Sequence, residues 1–135
     1  MKPPLILVIE DNEDARQNTA ELLETAGYRA IVASNGKEGV RLSVSAQPDL
    51  ILCDIVMPEL DGYAVLHILS KKRETAHLPF IFLTVREEMS DVRKGMSMGA
   101  DDYLTKPCDE TVLLEAIEAR LKKTQARANG RTHKA

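Results

Sequence analysis

The amino-acid sequence predicts an α/β domain: a five-stranded parallel sheet with helices on both faces. Short apolar runs alternate with stretches of helical periodicity along the chain. Strands that alternate with helices imply βαβ units and right-handed crossovers. Several of the runs are apolar without a break, as expected of strands covered on both faces. Polar residues stand directly after the runs, where a parallel sheet gathers its C-terminal ends on one edge.

The first strand is predicted at Leu5–Ile9 and runs into Glu10 and Asp11. In the helix that follows, Ala15, Leu22, Leu23 and Ala26 share a face, and Gly27 suits the C-terminal cap. Tyr28–Val32 is the second strand, and the second helix covers about Lys37 to Ser45. The third strand, Leu50–Cys53, delivers Asp54. Asp61 suits the N-cap of the third helix and Gly62 the turn before it, with Val65, Leu66 and Leu69 facing inward. Phe80–Leu83 is the fourth strand and leads to Thr84. The fourth helix carries Met89, Val92 and Met96 and stops at Gly99; Met89, Met96 and Met98 read as core or interface filler. Asp102–Thr105 is the fifth strand, followed by Lys106-Pro107. Val112, Leu113, Ala116, Ile117 and Leu121 mark the buried side of the fifth helix. Residues 1–123 form the domain, and 124–135, basic and aperiodic, read as a flexible tail or the start of a linker.

A chain of 135 residues can bury a real core. Its net charge of −3 favours neither nucleic acid nor an anionic membrane. No apolar run approaches the roughly 20 residues that span a bilayer. The N-terminal segment "MKPPLILVIEDNED" has no small-residue cleavage site, so no signal peptide is read and a cytoplasmic location is expected. Cys53 and Cys108 lack metal-ligand spacing and read as buried free thiols. His67, His77 and His133 have no clustered partners and are not read as ligands.

The strand order 2-1-3-4-5 would make the first and third strands neighbours at a topological switch point, where open α/β sheets bind ligands. Glu10, Asp11, Asp54, Thr84 and Lys106 would then converge on one edge. Two unit charges about 4 Å apart repel by roughly 4 kcal/mol at an effective dielectric of about 20. Three carboxylates therefore require either a bound proton or a cation. Oxygen ligands open to solvent suit Mg²⁺, which keeps its waters. Carboxylate, ammonium and hydroxyl around a metal describe a phosphoryl site with an aspartate as nucleophile. Taken singly, each residue has a plainer reading. Asp54 would be a turn or cap, Glu10 and Asp11 anions near a helix N-terminus, Thr84 a strand residue and Lys106 a surface charge. Tyr103 alone would be half-buried core.

The segments "VIEDNED", "LILCDIVMPELDG", "FIFLT" and "GMSMGADDYLTKP" together resemble the receiver domain of response regulators, over about Leu5 to Lys123. The resemblance implies a flavodoxin-like (βα)5 fold. It implies Asp54 as phosphoacceptor, Glu10 and Asp11 as the Mg²⁺-binding pair, and Val56 as the residue whose carbonyl joins them. Thr84 and Lys106 would be the phosphate-contacting hydroxyl and ammonium, and Tyr103 the aromatic switch partner of Thr84. It also implies a cis bond before Pro107. The donor would be a histidine kinase or histidine phosphotransfer protein. The receiver would catalyse its own Mg²⁺-dependent phosphorylation and dephosphorylation without being an enzyme that turns over a substrate. The output would be the face made by the fourth helix, fifth strand and fifth helix, docking an output domain or a second protomer. No direct contact with nucleic acid or membrane is implied. Two positions depart from the family pattern: Val85, where a small residue is usual, and Cys108, where an aromatic is common.

Other functions fit less well. A phosphatase or mutase working through an aspartyl phosphate generally has a D-x-D pair, and Val56 stands at its second position. A flavin site would need a Ser/Thr-rich loop where "EDNED" stands, and no G-x-G-x-x-G supports a dinucleotide.

Overall fold

The structure is a computed structural model that describes residues 2–134. Its elements are β1 (Leu5–Ile9), α1 (Glu13–Thr25), β2 (Arg29–Ala33), α2 (Gly36–Ser45) and β3 (Leu50–Cys53), followed by α3 (Gly62–Ser70), β4 (Phe80–Thr84), α4 (Met89–Ser97), β5 (Asp102–Thr105) and α5 (Glu110–Lys134). All strand pairs are parallel, in the order β2-β1-β3-β4-β5.

Alternation along each strand divides the core. Ile6, Val8, Leu50, Leu52, Ile81 and Leu83 point to one face and pack with Leu23 of α1 and with Leu113 and Ile117 of α5. Leu7, Ile9, Ile51, Cys53, Phe80 and Phe82 point to the other, against Tyr63, Val65, Leu66 and Leu69 of α3. Every residue of β3 and β4 is buried, which is why those strands are apolar without a break.

Local chemistry places the helix ends. The side chains of Asn12, Asn35 and Asp61 accept hydrogen bonds from Ala15, Glu38 and Ala64 and so cap α1, α2 and α3. Gly27 follows α1 with φ of 98°, a left-handed conformation that suits glycine. β2 begins one residue later than the sequence suggests. The Tyr28 N–H still bonds the Leu23 carbonyl at the helix end, and Arg29 is the first to bond across, to Pro4. β4 runs one residue further, because Thr84 pairs with Thr105.

Two expectations need correction. Met89 and Met96 are 65% and 43% exposed, while Gly95 is the buried position of α4. A Cβ on Gly95 would stand 3.0 Å from the Phe82 ring and 3.1 Å from Tyr103, so the helix packs by its bare backbone and turns the methionines outward. Cys108 is only half-buried, unlike Cys53. Helix α5 runs on past Lys123 to Lys134; no proline follows Pro107, and Lys, Gln, Arg and Ala propagate a helix readily.

Candidate functional site

Register brings the acidic residues together. Ile9 pairs with Cys53, so the next residue of each chain segment, Glu10 and Asp54, leaves the sheet at the same level. The ladder continues one step past the strands: Glu10 N–H donates to Ala33 O and Asp54 N–H to Ile9 O, both at 3.0 Å. Glu10 and Asp54 are 5% and 7% exposed, whereas Asp11 is exposed. Carboxylate oxygens of Glu10, Asp11 and Asp54 all lie within 4.8 Å of one another.

Each buried carboxylate also has backbone partners. Glu10 Oε2 accepts from Asn12 N–H at 3.2 Å, and Asp54 Oδ1 accepts from Val56 N–H at 3.1 Å. The β3–α3 loop is pressed close. A Cβ on Gly62 would stand 2.3 Å from the Asp54 carbonyl oxygen and 2.8 Å from Ile55 Cα, so only glycine fits.

Lys106 reaches in from the far side of the edge. Its N–H donates to Thr84 O at 2.8 Å, and the bond to Pro107 is cis. Its ammonium bonds Glu10 Oε1 and stands 3.2 Å from Asp54 Oδ2. Thr84 is fully buried, and its hydroxyl oxygen accepts from Arg86 N–H at 3.4 Å. The Tyr103 hydroxyl donates to Arg86 O at 2.8 Å. Val56 and Val85 flank the site, 44% and 60% exposed.

The electrostatics follow from three carboxylates facing one ammonium. Burial pushes the Glu10 carboxyl up; the Lys106 bond and the Asn12 amide oppose this, and Asp54 adds to it. Burial works against the Lys106 ammonium, but Glu10 and Asp54 outweigh it and its pKa rises. Both shifts run the way a negatively charged cluster demands, since it holds its protons tightly. Burial, then the charges of Asp54, Glu10 and Asp61, pushes the Cys53 thiol well up, which keeps it a neutral core residue.

The donor set fits a small divalent cation: oxygens only, one side open to solvent, and an ammonium too few to balance the charge. Of the residues singled out in the sequence, Glu10, Asp11, Asp54 and Lys106 meet directly. Thr84 and Tyr103 instead share Arg86 as a partner.

Two groups carried no sequence signal. Arg16 Nη1 donates to the carbonyls of Glu10 and Asp11, at 3.0 and 3.4 Å. An arginine on an amphipathic helix reads simply as solvated charge. The Tyr63 hydroxyl bonds Asp91 O and Oδ1 at 3.1 and 3.2 Å, tying α3 to α4, and the Lys94 ammonium lies 4.3 Å above its ring.

Residues 6–118 match the response regulator receiver domain family. The chain is 40% identical over 114 residues to protein PilH of Pseudomonas aeruginosa, covering 84% of this chain and 94% of PilH. It is 39% identical over 121 residues to the DNA-binding dual master transcriptional regulator RpaA of Synechocystis, covering 90% of this chain but 50% of RpaA. The chain thus spans about half the length of that regulator and of others it matches. Among solved structures, a CheY-like receiver domain protein from Methanospirillum hungatei superposes with TM-score 0.86 at 26% identity, over 93% of this chain and 98% of that one. A receiver domain protein from Clostridium thermocellum gives 0.85 at 31%, over 91% and 98%. No helix among the described residues is long and apolar enough to cross a membrane. The matched stretch carries the whole sheet and its polar edge; the chain therefore belongs to the response regulator receiver domain family and is a phosphorylatable receiver of two-component signalling.

Proposed function

We propose that Asp54 is the phosphoacceptor and that Glu10, Asp11 and Asp54, with the Val56 carbonyl, hold Mg²⁺. One observation carries this reading: the Lys106 ammonium bonds Asp54 and Glu10, from positions 52 and 96 residues away in sequence. A fold that delivers one cation onto two buried carboxylates has built a charge-handling site. The donor is a histidine kinase or histidine phosphotransfer protein. An Asp54 carboxylate oxygen attacks phosphorus, the P–N bond to the donor imidazole breaks, and an acyl phosphate results. Bound Mg²⁺ neutralises charge on the phosphoryl oxygens. Lys106 pairs with a phosphoryl oxygen in place of a carboxylate, and the Thr84 hydroxyl donates to another. The domain thereby catalyses its own phosphorylation and dephosphorylation.

Thr84 gives up its contact with Arg86 N–H when it turns toward the phosphoryl group, and Tyr103 fills the space it leaves. The face of α4, β5 and α5 is the output surface, for an output domain or a second protomer. The receiver unit is residues 1–123, and 124–135 leads away from it. The location is cytoplasmic, and the domain itself binds neither nucleic acid nor membrane.

The test is Asp54→Asn, nearly isosteric and so expected to fold. Acetyl phosphate should add one phosphoryl group to the wild type and none to the variant, by intact mass. Undiminished labelling of the variant overturns the assignment.

A further inference from the structure

Arg16 reaches back from α1 over the loop that carries the acidic pair. One guanidinium nitrogen, Nη1, donates to the main-chain carbonyls of both Glu10 and Asp11. The backbone N–H of Arg16 bonds Asn12 O at 2.9 Å, so the side chain springs from a turn anchored to the same loop. Arg16 is half-buried, which limits the competition of water for the bond to the Glu10 carbonyl, while the bond to the Asp11 carbonyl is exposed.

The two acids differ in how they are held. Glu10 is buried, and its carboxylate takes bonds from Asn12 N–H and Lys106. Asp11 is exposed, and the Arg16 bond to this residue is made to its carbonyl. Fixing successive carbonyls fixes the peptide planes on both sides of the Asp11 Cα. The direction in which the Asp11 side chain leaves the backbone is thereby set.

We propose that Arg16 is a positioning residue for the divalent-cation site, acting through the backbone of Glu10 and Asp11 without touching the ion. This rests on the reading of Glu10, Asp11 and Asp54 as metal ligands. Groups that orient metal ligands commonly govern affinity by about 10- to 100-fold. Charge alone would work the other way: a guanidinium beside three carboxylates competes with a cation, so deleting it would tighten binding. Lysine separates the two effects. It keeps the charge, but its ammonium ends one bond nearer the backbone, on a flexible stem, and so does not reach both carbonyls as Nη1 does.

The experiment is a calorimetric titration of MgCl₂ into wild type, Arg16→Lys, Arg16→Ala and Asp11→Asn, with urea unfolding of each as a fold control. Both Arg16 variants should bind Mg²⁺ roughly tenfold more weakly, with the Asp11 and Asn12 amide resonances shifted in the metal-free protein. Asp11→Asn should weaken binding too. Wild-type affinity in Arg16→Lys, or tighter binding in Arg16→Ala, overturns the positioning role. If Asp11→Asn binds as wild type, the metal assignment itself falls and this role with it. If Asp11→Asn weakens binding and the Arg16 variants do not, Arg16 alone is wrong.

Discussion

The Lys106 ammonium and the Asp54 carboxylate stand 3.2 Å apart although 52 residues separate them in sequence. The same ammonium bonds Glu10. A single positive charge thus holds two buried carboxylates that would otherwise repel.

Replacing Lys106 with methionine leaves those carboxylates facing each other. In the metal-free protein the unfolding free energy should fall by about 1–3 kcal/mol. Mg²⁺ should recover much of the loss, because the variant site is more negative and binds the cation more tightly. Urea unfolding with and without Mg²⁺ measures both effects. A variant as stable as wild type in chelator would show that Lys106 does not brace the site.

Gly62→Ala should damage fold and site together. Its Cβ would meet the Asp54 carbonyl oxygen and Ile55 Cα, which are backbone atoms that cannot rotate away. Overpacking of this kind costs about 1–3 kcal/mol. The displaced loop carries Asp54, so acetyl phosphate labelling should slow as well. Wild-type unfolding and labelling in this variant would contradict the close approach.

Tyr63 should make stability fall at alkaline pH. Burial raises its phenol far above the usual range, with the Tyr103 phenol and Asp91 adding to it. A group whose folded pKa is raised contributes its full stability below the unfolded value, about 10 for tyrosine, and loses it as pH rises through the folded value. The urea midpoint of the wild type should therefore decline above about pH 10, and Tyr63→Phe should decline less steeply. At pH 7 the variant should be less stable by about 1 kcal/mol, from lost bonding to Asp91. Parallel alkaline profiles for the two proteins would exclude Tyr63 as a contributor.

The acyl phosphate should hydrolyse slowly. Hydrolysis needs a water placed in line with the aspartyl oxygen. Val56 offers no polar side-chain atom to place it, Arg86 is a donor that cannot serve as a base, and Val85 adds branched bulk at the entrance. Val56→Asn should speed hydrolysis chiefly, and Val85→Ala both phosphorylation and hydrolysis. Phosphate loss after donor removal gives the rates. A wild-type lifetime of seconds, or variants no faster than wild type, would show that these positions do not control it.

Most of the architecture is legible in local chemistry. Unbroken apolar runs mark β3 and β4 because both faces of the sheet are covered, and Asn or Asp before a periodic stretch marks a helix start because its oxygen satisfies a free N–H. The polar residues after the strands follow from the same logic. Parallel strands put their C-terminal ends on one edge, so Glu10, Asp11, Asp54, Thr84 and Lys106 could be assigned to one place before any coordinate was known. Fold class follows from alternation and connection rules that act within short stretches of chain; strand order does not, since more than one doubly wound order obeys those rules, and pairing across the sheet sets it as β2-β1-β3-β4-β5.

What the tertiary structure decided is what depends on rotation and distance. Periodicity could not tell that α4 turns Gly95 inward and Met89 outward, because that orientation comes from the Phe82 and Tyr103 rings it packs against. Nor could it give Arg16 or Tyr63 a role, since a helix surface charge and a buried aromatic look alike whether or not a carbonyl lies within reach. The Lys106 bonds to Asp54 and Glu10 belong here too: residue types and strand ends bring the three to one edge, but only side-chain reach across packed strands sets which carboxylates share the ammonium. Local sequence thus determined the elements and the edge on which the chemistry sits. Long-range packing decided which groups touch, because hydrogen bonds and close contacts are set over ångströms that no sequence spacing encodes.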